Sequence, residues 1–195
     1  MQKAARVIST IFIPPTLTLA SFIFLAFTFE NDFKLRIVTV AVALLFGAIL
    51  QIASFVFFYK SKMINDIDVK QKFERTIPFY VSLIIFIIGF IVLLTFKVNV
   101  ISIAFWFCYI SNTILVVLIN KYIKLSIHAM GVSGPLALLV LLKSIFGFYL
   151  VLILILVGWS RIKLKVHTFA EVLTGTILGF VSVYLQLLIF LKEYI

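Results

Sequence analysis

Cysteine, histidine and acidic residues are all scarce in this chain of 195 residues. The sequence contains one cysteine, two histidines and seven aspartates and glutamates together. The single cysteine, Cys108, lies within an apolar run, so the chain can form neither an internal disulfide nor a cysteine metal site. Any chemistry that the protein performs must therefore depend on a small set of polar side chains.

Charge is also scarce, and apolar residues take its place. Charged residues make up 12% of the chain and hydrophobic residues 64%, against roughly 25% and 45–50% in soluble domains. This composition excludes a water-soluble fold. At ~20 apolar residues per membrane crossing, the chain has room for at most about seven or eight spans and no separate soluble domain. We predict a single transmembrane domain over residues 1–195.

The long apolar runs predict helices, because backbone polar groups in lipid must be satisfied within the segment. The run from 129 to 159 would be ~45 Å long as one helix, and Lys143, Ser144 and Gly147 interrupt it halfway. We therefore predict a helical hairpin there, and a first span with Pro14 and Pro15 either near its start or at a kink within it. The prediction is an all-α polytopic membrane bundle of about six to seven transmembrane helices, with seven spans near residues 9–29, 36–59, 77–96, 98–119, 129–143, 146–159 and 168–191.

Basic residues outnumber acidic ones, and they lie in the short segments between the apolar runs. Seventeen lysines and arginines give a formal net charge of +10. Because these residues form no basic domain, we expect anionic lipids and a phosphate-bearing membrane lipid as partners rather than nucleic acid. The composition points to no soluble partner.

Seven spans would place four polar segments on one face of the membrane. These segments are the N-terminus and the loops 60–76, 120–128 and 160–167. Both histidines, His128 and His167, fall at loop-to-helix junctions on that face. The candidate functional residues therefore converge on one side.

His167 and Glu171 are the pair with the clearest chemical meaning. They are four residues apart, which places the carboxylate one helical turn from the imidazole. Glu171 falls inside the last apolar run, where an ionisable residue is a functional candidate by default. A carboxylate that holds one imidazole nitrogen leaves the other basic and oriented, as a nucleophilic histidine requires.

The segment from Ser160-Arg161 to His167 and Glu171 resembles the third motif of the type 2 phosphatidic acid phosphatase family. That motif reads Ser-Arg, five residues, His, three residues, Asp, and this chain has Glu171 in place of the aspartate. The resemblance implies that His167 attacks phosphorus, that Glu171 orients it and that Arg161 binds phosphate. Gly175 and Gly179 follow at the spacing of a close helix contact.

The other two motifs of the family are matched in part. Ser126 and His128 match the serine and histidine of Pro-Ser-Gly-His, which implies that Ser126 binds a phosphoryl oxygen and that His128 protonates the leaving oxygen. Ile127 stands where the family has the glycine whose backbone approaches the phosphate, and Gly131 and Gly134 just beyond are candidates to supply that close approach instead. Arg75 is the candidate phosphate ligand of the first motif, whose lysine is missing. Lys124 is a candidate replacement, or a lysine that only reaches toward the membrane interface.

The resemblance implies a phosphatidic acid phosphatase-like core and a hydrolase that needs no metal or cofactor. Its substrate would be a lipid phosphomonoester or pyrophosphate, such as phosphatidic acid, phosphatidylglycerophosphate or undecaprenyl diphosphate, hydrolysed through a phosphohistidine. We expect a multi-pass protein of a prokaryotic cell membrane. Two alternatives stay open: an inactive relative that binds lipid or acts as a scaffold, and a Mg²⁺-dependent isoprenyl transferase that uses Asp66 and Asp68.

The orientation in the membrane also stays open at this point. The seven-span arrangement gives twelve lysines and arginines to the face with the histidines and five to the other face. The positive-inside rule would make the histidine face cytoplasmic. Bacterial members of the family that handle envelope lipids usually work on the outer face.

Overall fold

The computed structural model describes residues 1–192, apart from the side chain of Lys72, and this part of the chain is helical with no strand. A π-helical stretch, Ala43–Ile49, lies within α3, and a 3-10 turn, Lys72–Arg75, precedes α4. The helices of the described part are α1 Gln2–Ile11, α2 Pro14–Phe29, α3 Phe33–Lys60, α4 Thr76–Phe96, α5 Val100–Asn120, α6 Ile127–Leu141, α7 Phe146–Lys163 and α8 Phe169–Phe190.

Five of these helices are long and apolar enough to cross a membrane, namely α3, α4, α5, α7 and α8. Helices α1 and α2 qualify together as a sixth span, bent by 47° at their junction. The predicted all-α fold with about six long apolar helices is confirmed. A seventh span would require α6, whose 15 residues extend about 22 Å. That seventh crossing and the phosphatase-like core stay predictions.

The first helix begins earlier than the sequence pattern indicated. The predicted span started near residue 9, whereas α1 begins at Gln2 and ends at Ile11. Pro14 is the first residue of α2, a position that proline favours because its missing N–H would have no partner within the helix. The predicted disruption at the two prolines is therefore confirmed, and the residues before it form a separate helix rather than a loop.

The predicted hairpin between residues 129 and 159 is confirmed. After α6, Lys143 adopts a left-handed conformation with φ 53°. Its N–H donates to the carbonyl of Val140, and the N–H of Ser144 donates to that of Leu139, which together form a Schellman cap. Gly147 at the start of α7 lies beside Leu139. Farther from the cap, Val132 and Val157 share a buried cluster, so α6 and α7 run antiparallel.

The described chain forms two compact units, and each is considered by itself. The first consists of Met1–Leu17 and the chain from Ile123 onward, and the second is Thr18–Tyr122. In the first unit α6 packs against both α7 and α8, and α1 packs on α7. This division does not test the prediction of one transmembrane domain, because the helices of a single bundle can form two groups.

The second unit is built around aromatic residues. Its central helices are α4 and α5, which pack against each other. The Trp106 indole donates to the carbonyl of Phe86 at 2.8 Å, and both rings meet Tyr109. Phe22 and Phe105 extend the same cluster. Phe105 and Trp106 are among the buried residues of α5.

Candidate functional site

The five-residue spacing between Arg161 and His167 corresponds to a helix cap. Helix α7 ends in a Schellman motif, with Lys165 in the left-handed conformation at φ 54°. The N–H of Val166 donates to the carbonyl of Arg161 at 3.1 Å, and the N–H of His167 donates to the same oxygen at 3.3 Å. The cap therefore folds the chain back, so that the main chain of His167 lies beside that of Arg161.

His167 and Glu171 form the predicted pair. The Nδ1 atom of His167 lies 2.7 Å from Oε2 of Glu171, and the two side chains are 2% and 23% exposed. A carboxylate at Nδ1 favours the tautomer that carries its proton there and makes Nε2 the basic nitrogen. The pair has the geometry that orients a nucleophilic histidine.

Glu171 also has a structural role that the sequence pattern did not reveal. Thr168 is the N-cap of α8, and its hydroxyl accepts from the N–H of Glu171 at 3.2 Å. In return, Oε2 of Glu171 accepts from the N–H of Thr168 at 3.3 Å, which completes a capping box. Glu171 lies within the last apolar helix as predicted, and more exactly in its first turn.

Lys124 and Ser126 join the loop before α6 to the histidine segment. The Lys124 ammonium donates to the carbonyl of Val166 at 2.7 Å. The backbone N–H of Ser126 donates to the carbonyl of Glu171 at 3.1 Å. These two bonds bring the start of α6 to the start of α8, so the structure confirms that the second and third motif segments lie together.

The side chain of Ser126 is placed as a helix cap. It is fully buried, and its hydroxyl accepts from the N–H of Ala129 at 3.4 Å at the beginning of α6. Phosphate binding by this hydroxyl stays a prediction. His128 follows in the first turn of α6 and is half-buried, so the helix that carries it begins at the same end of the unit as His167. Its role as proton donor also stays a prediction.

The glycines near these motifs serve close packing between helices. A Cβ atom at Gly175 would lie 2.5 Å from the backbone oxygen of Ser126, and one at Gly179 would meet the hydroxyl of Ser133. The predicted small-residue contact is therefore confirmed, with α6 as the partner of α8. Gly131 faces Pro14, and Gly134 faces Val183. Both accommodate neighbouring side chains, and the sequence analysis had considered them for approach to a phosphate.

Arg161 contacts a residue that the sequence analysis missed. Its side chain is 1% exposed, and one terminal nitrogen donates to the hydroxyl of Ser9 in α1 at 2.6 Å. Ser9 is itself 3% exposed and follows the buried Ala5 by one turn. A serine within the small and apolar stripe of an otherwise polar helix is the signal that would have identified it.

Arg75 belongs to the second unit, and its role as a phosphate ligand stays a prediction. It lies near the end of the loop 60–76 and is buried, and its Nε donates to the carbonyl of Val69 at 2.8 Å. Asp66, in the same loop, pairs with Lys70 at 3.2 Å. Among the described residues no group of three or more His, Cys, Asp or Glu side chains is placed to hold a metal ion. The transferase alternative stays open.

The electrostatics of the first-unit cluster favour an anion. Lys124, Arg161 and His167 are basic and Glu171 is acidic, and the N-termini of α6 and α8 add partial positive charge at the same end. Burial of Arg161 and His167 strengthens their interaction with any charge that approaches. A phosphate group, with several acceptor oxygens and one or two negative charges, complements this arrangement.

Comparison of the chain with protein-family models, with curated proteins and with solved structures finds no match. The interpretation of the site therefore depends on its own residues and geometry.

Proposed function

We propose that this protein is an integral-membrane lipid phosphatase, which hydrolyses a phosphomonoester or pyrophosphate of a membrane lipid. The observation that carries the proposal is the 2.7 Å contact between His167 Nδ1 and Glu171 Oε2. The contact lies directly after the cap that places Arg161 beside His167. An oriented imidazole and a buried guanidinium, on residues whose main chains meet at this cap, are the two groups that phosphoryl transfer through histidine requires.

The proposed reaction has two steps. In the first, Nε2 of His167 attacks phosphorus, the bond from phosphorus to the lipid oxygen breaks, and His128 donates a proton to that oxygen. In the second, His128 takes a proton from water, the resulting hydroxide attacks phosphorus, and the phosphorus–nitrogen bond breaks to release phosphate and restore His167. Arg161 offsets the charge on the phosphoryl oxygens.

The placement of the cluster at helix ends suits a lipid substrate. A lipid phosphate lies at the depth of the headgroups while its tail stays among the apolar helices, five of which are long enough to cross a membrane. Phosphatidic acid, phosphatidylglycerophosphate and isoprenyl diphosphates share this chemistry. We place the protein in a prokaryotic cell membrane, where its basic loops would also bind anionic lipids.

A second candidate function is phosphate binding without turnover, as in an inactive relative that serves as a lipid-binding or scaffold protein. Several polar groups of the cluster already have structural roles that favour it. Lys124 holds the Val166 carbonyl, Ser126 caps α6, and Glu171 completes the capping box of α8. A protein that had lost its catalytic activity would still keep these hydrogen bonds, because they have structural roles.

Phosphate release from lipid phosphates by the purified protein separates the two functions. We expect wild type to release phosphate in excess EDTA, because side-chain cations offset the phosphate charge, and vanadate to inhibit as a mimic of the transferring group. His167→Ala should abolish release, while Gln186→Ala, which removes a polar side chain of α8 about 22 Å from Glu171 along the helix, should retain it. Equal background release from wild type and His167→Ala would favour the binding protein, and strict Mg²⁺ dependence would favour the transferase.

A further inference from the structure

Ser9 and Arg161 form a buried polar contact between helices that are far apart in the sequence. The hydroxyl of Ser9 in α1 accepts a hydrogen bond from a terminal nitrogen of Arg161 in α7 at 2.6 Å. The two residues are 3% and 1% exposed. Because a guanidinium only donates hydrogen bonds, the serine oxygen must be the acceptor. Arg161 is thus held by its side chain as well as by the cap around its carbonyl.

The rest of the buried face of α1 is small or apolar. Ala5 is buried, and Ile8 and Phe12 pack against the cluster of Leu17, Val132 and Val157. Lys3, Arg6 and Thr10 lie on the exposed side. The packing of α1 on α7 is therefore explained by its apolar residues, and the hydroxyl at position 9 adds a polar contact that packing does not require.

We propose that Ser9 is a positioning residue of the phosphate site, and that α1 is consequently part of that site. The inference deepens the proposed function and rests on it. An arginine side chain has several rotatable bonds, and a bond to one of its donors fixes the plane of the guanidinium. A guanidinium that is already held in one plane then meets a phosphoryl oxygen without a further ordering cost at the moment of binding.

The effect of removing the Ser9 hydroxyl should appear in phosphate affinity. Ser9→Ala keeps Arg161 but removes the hydrogen bond that orients its guanidinium. We therefore expect KM for a lipid phosphate and the inhibition constant for vanadate each to rise about tenfold, the scale of one charged hydrogen bond. The turnover number should change less. Thr10→Ala is the matched control, because Thr10 is exposed and its hydroxyl only bonds the Arg6 carbonyl within α1.

A double-substitution cycle separates positioning from a general packing effect. If Ser9 acts through Arg161, Ser9→Ala should add little to the weakened vanadate binding of Arg161→Lys, since the shorter ammonium cannot use the same contact. Calorimetric titration of vanadate into the purified full-length protein measures all four combinations without requiring turnover. A failure of wild type to release phosphate would thus overturn the proposed function and still leave the Ser9 contact testable.

Two results would overturn the inference. One is vanadate affinity in Ser9→Ala equal to that of wild type and Thr10→Ala. The other is a double variant whose loss of vanadate affinity equals the product of the fold losses in Ser9→Ala and Arg161→Lys. That result would show that the two residues act independently. If Ser9→Ala lowers the thermal midpoint, Ser9→Cys repeats the test, because a thiol fills the space of the hydroxyl and somewhat more but is a weak acceptor. Weakened vanadate binding in Ser9→Cys at an unchanged thermal midpoint would support the inference, and wild-type binding would refute it.

Discussion

The backbone N–H of Ser126 donates to the backbone carbonyl of Glu171 at 3.1 Å, and this bond joins the starts of α6 and α8. It connects two segments that are 45 residues apart in the sequence. Because both partners are main-chain atoms, the contact depends on close approach of the helices rather than on the identity of either side chain. Gly175, one turn after Glu171, permits that approach.

Glu171→Gln separates the two roles of Glu171. Glutamine can still complete the capping box with Thr168, but it loses the charge that holds His167 and stabilises its cationic form. We expect phosphate release to fall by ~10²–10⁴, the range of orienting and acid–base groups, with little change in the thermal midpoint. Glu171→Asp, which carries the residue usual in the resembled family, should keep appreciable activity. Wild-type turnover in Glu171→Gln would assign the residue to capping alone.

The two histidines should differ in their dependence on the leaving group. If His128 protonates the departing oxygen, His128→Ala should be mild for an aryl phosphate or a diphosphate, whose leaving oxygen is weakly basic, and severe for phosphatidic acid. His167→Ala should be inactive on all of them, since it removes the nucleophile. Rates of phosphate release across this panel provide the measurement. A uniform loss in His128→Ala for every substrate would contradict the role of proton donor.

Gly175→Ala should disturb the site through the backbone. The added Cβ would lie 2.5 Å from the Ser126 carbonyl oxygen and 3.2 Å from its nitrogen, so α6 and α8 must separate. Overpacking of this kind costs about 1–3 kcal/mol, and phosphate release should fall with the thermal midpoint. Gly134→Ala is the control, because its Cβ would meet Val183 at an ordinary 3.4 Å. Equal behaviour of the two variants would contradict the close contact.

Lys97→Gly, at the end of α4 in the second unit, should raise the thermal midpoint of the protein. Lys97 ends α4 with φ 54°, a left-handed conformation that costs a residue with a Cβ about 1–2 kcal/mol and costs glycine little. We expect a gain of about 1 kcal/mol, or ~2–4 °C in the thermal midpoint. The control is Lys121→Gly at the end of α5, where φ is −61° and glycine should lower the midpoint. A lower midpoint in Lys97→Gly would show that the lysine makes a compensating contact.

The sequence was sufficient to predict the helical class and the hairpin. Long apolar runs leave helix as the structure that satisfies the backbone, and the polar interruption at Lys143 and Ser144 marks the turn. The four-residue spacing of His167 and Glu171 also predicted their contact, because one helical turn is a local distance. These features depend only on neighbours within a few residues, which a sequence displays directly.

The sequence was less informative where local signals competed. The sequence analysis placed Glu171 in the last span but missed its capping role, in which Thr168 is the N-cap of α8 and the Glu171 carboxylate completes the capping box. The helix before the two prolines was also missed, because the polar residues of α1 hide a narrow buried stripe that contains Ala5 and Ser9. Both omissions come from counting hydropathy along the chain, which averages over caps and over the two sides of an amphipathic helix.

The sequence by itself determined the helical class of the chain and which histidine has a carboxylate one turn away. Only the tertiary structure decided which distant residues support that histidine. It brought Lys124 to the carbonyl of Val166 and Ser9 to Arg161, a contact across 152 positions of the chain. Such contacts depend on how α1, α6, α7 and α8 pack, and helix packing is set by the shapes of whole helix faces rather than by the spacing of residues along one of them.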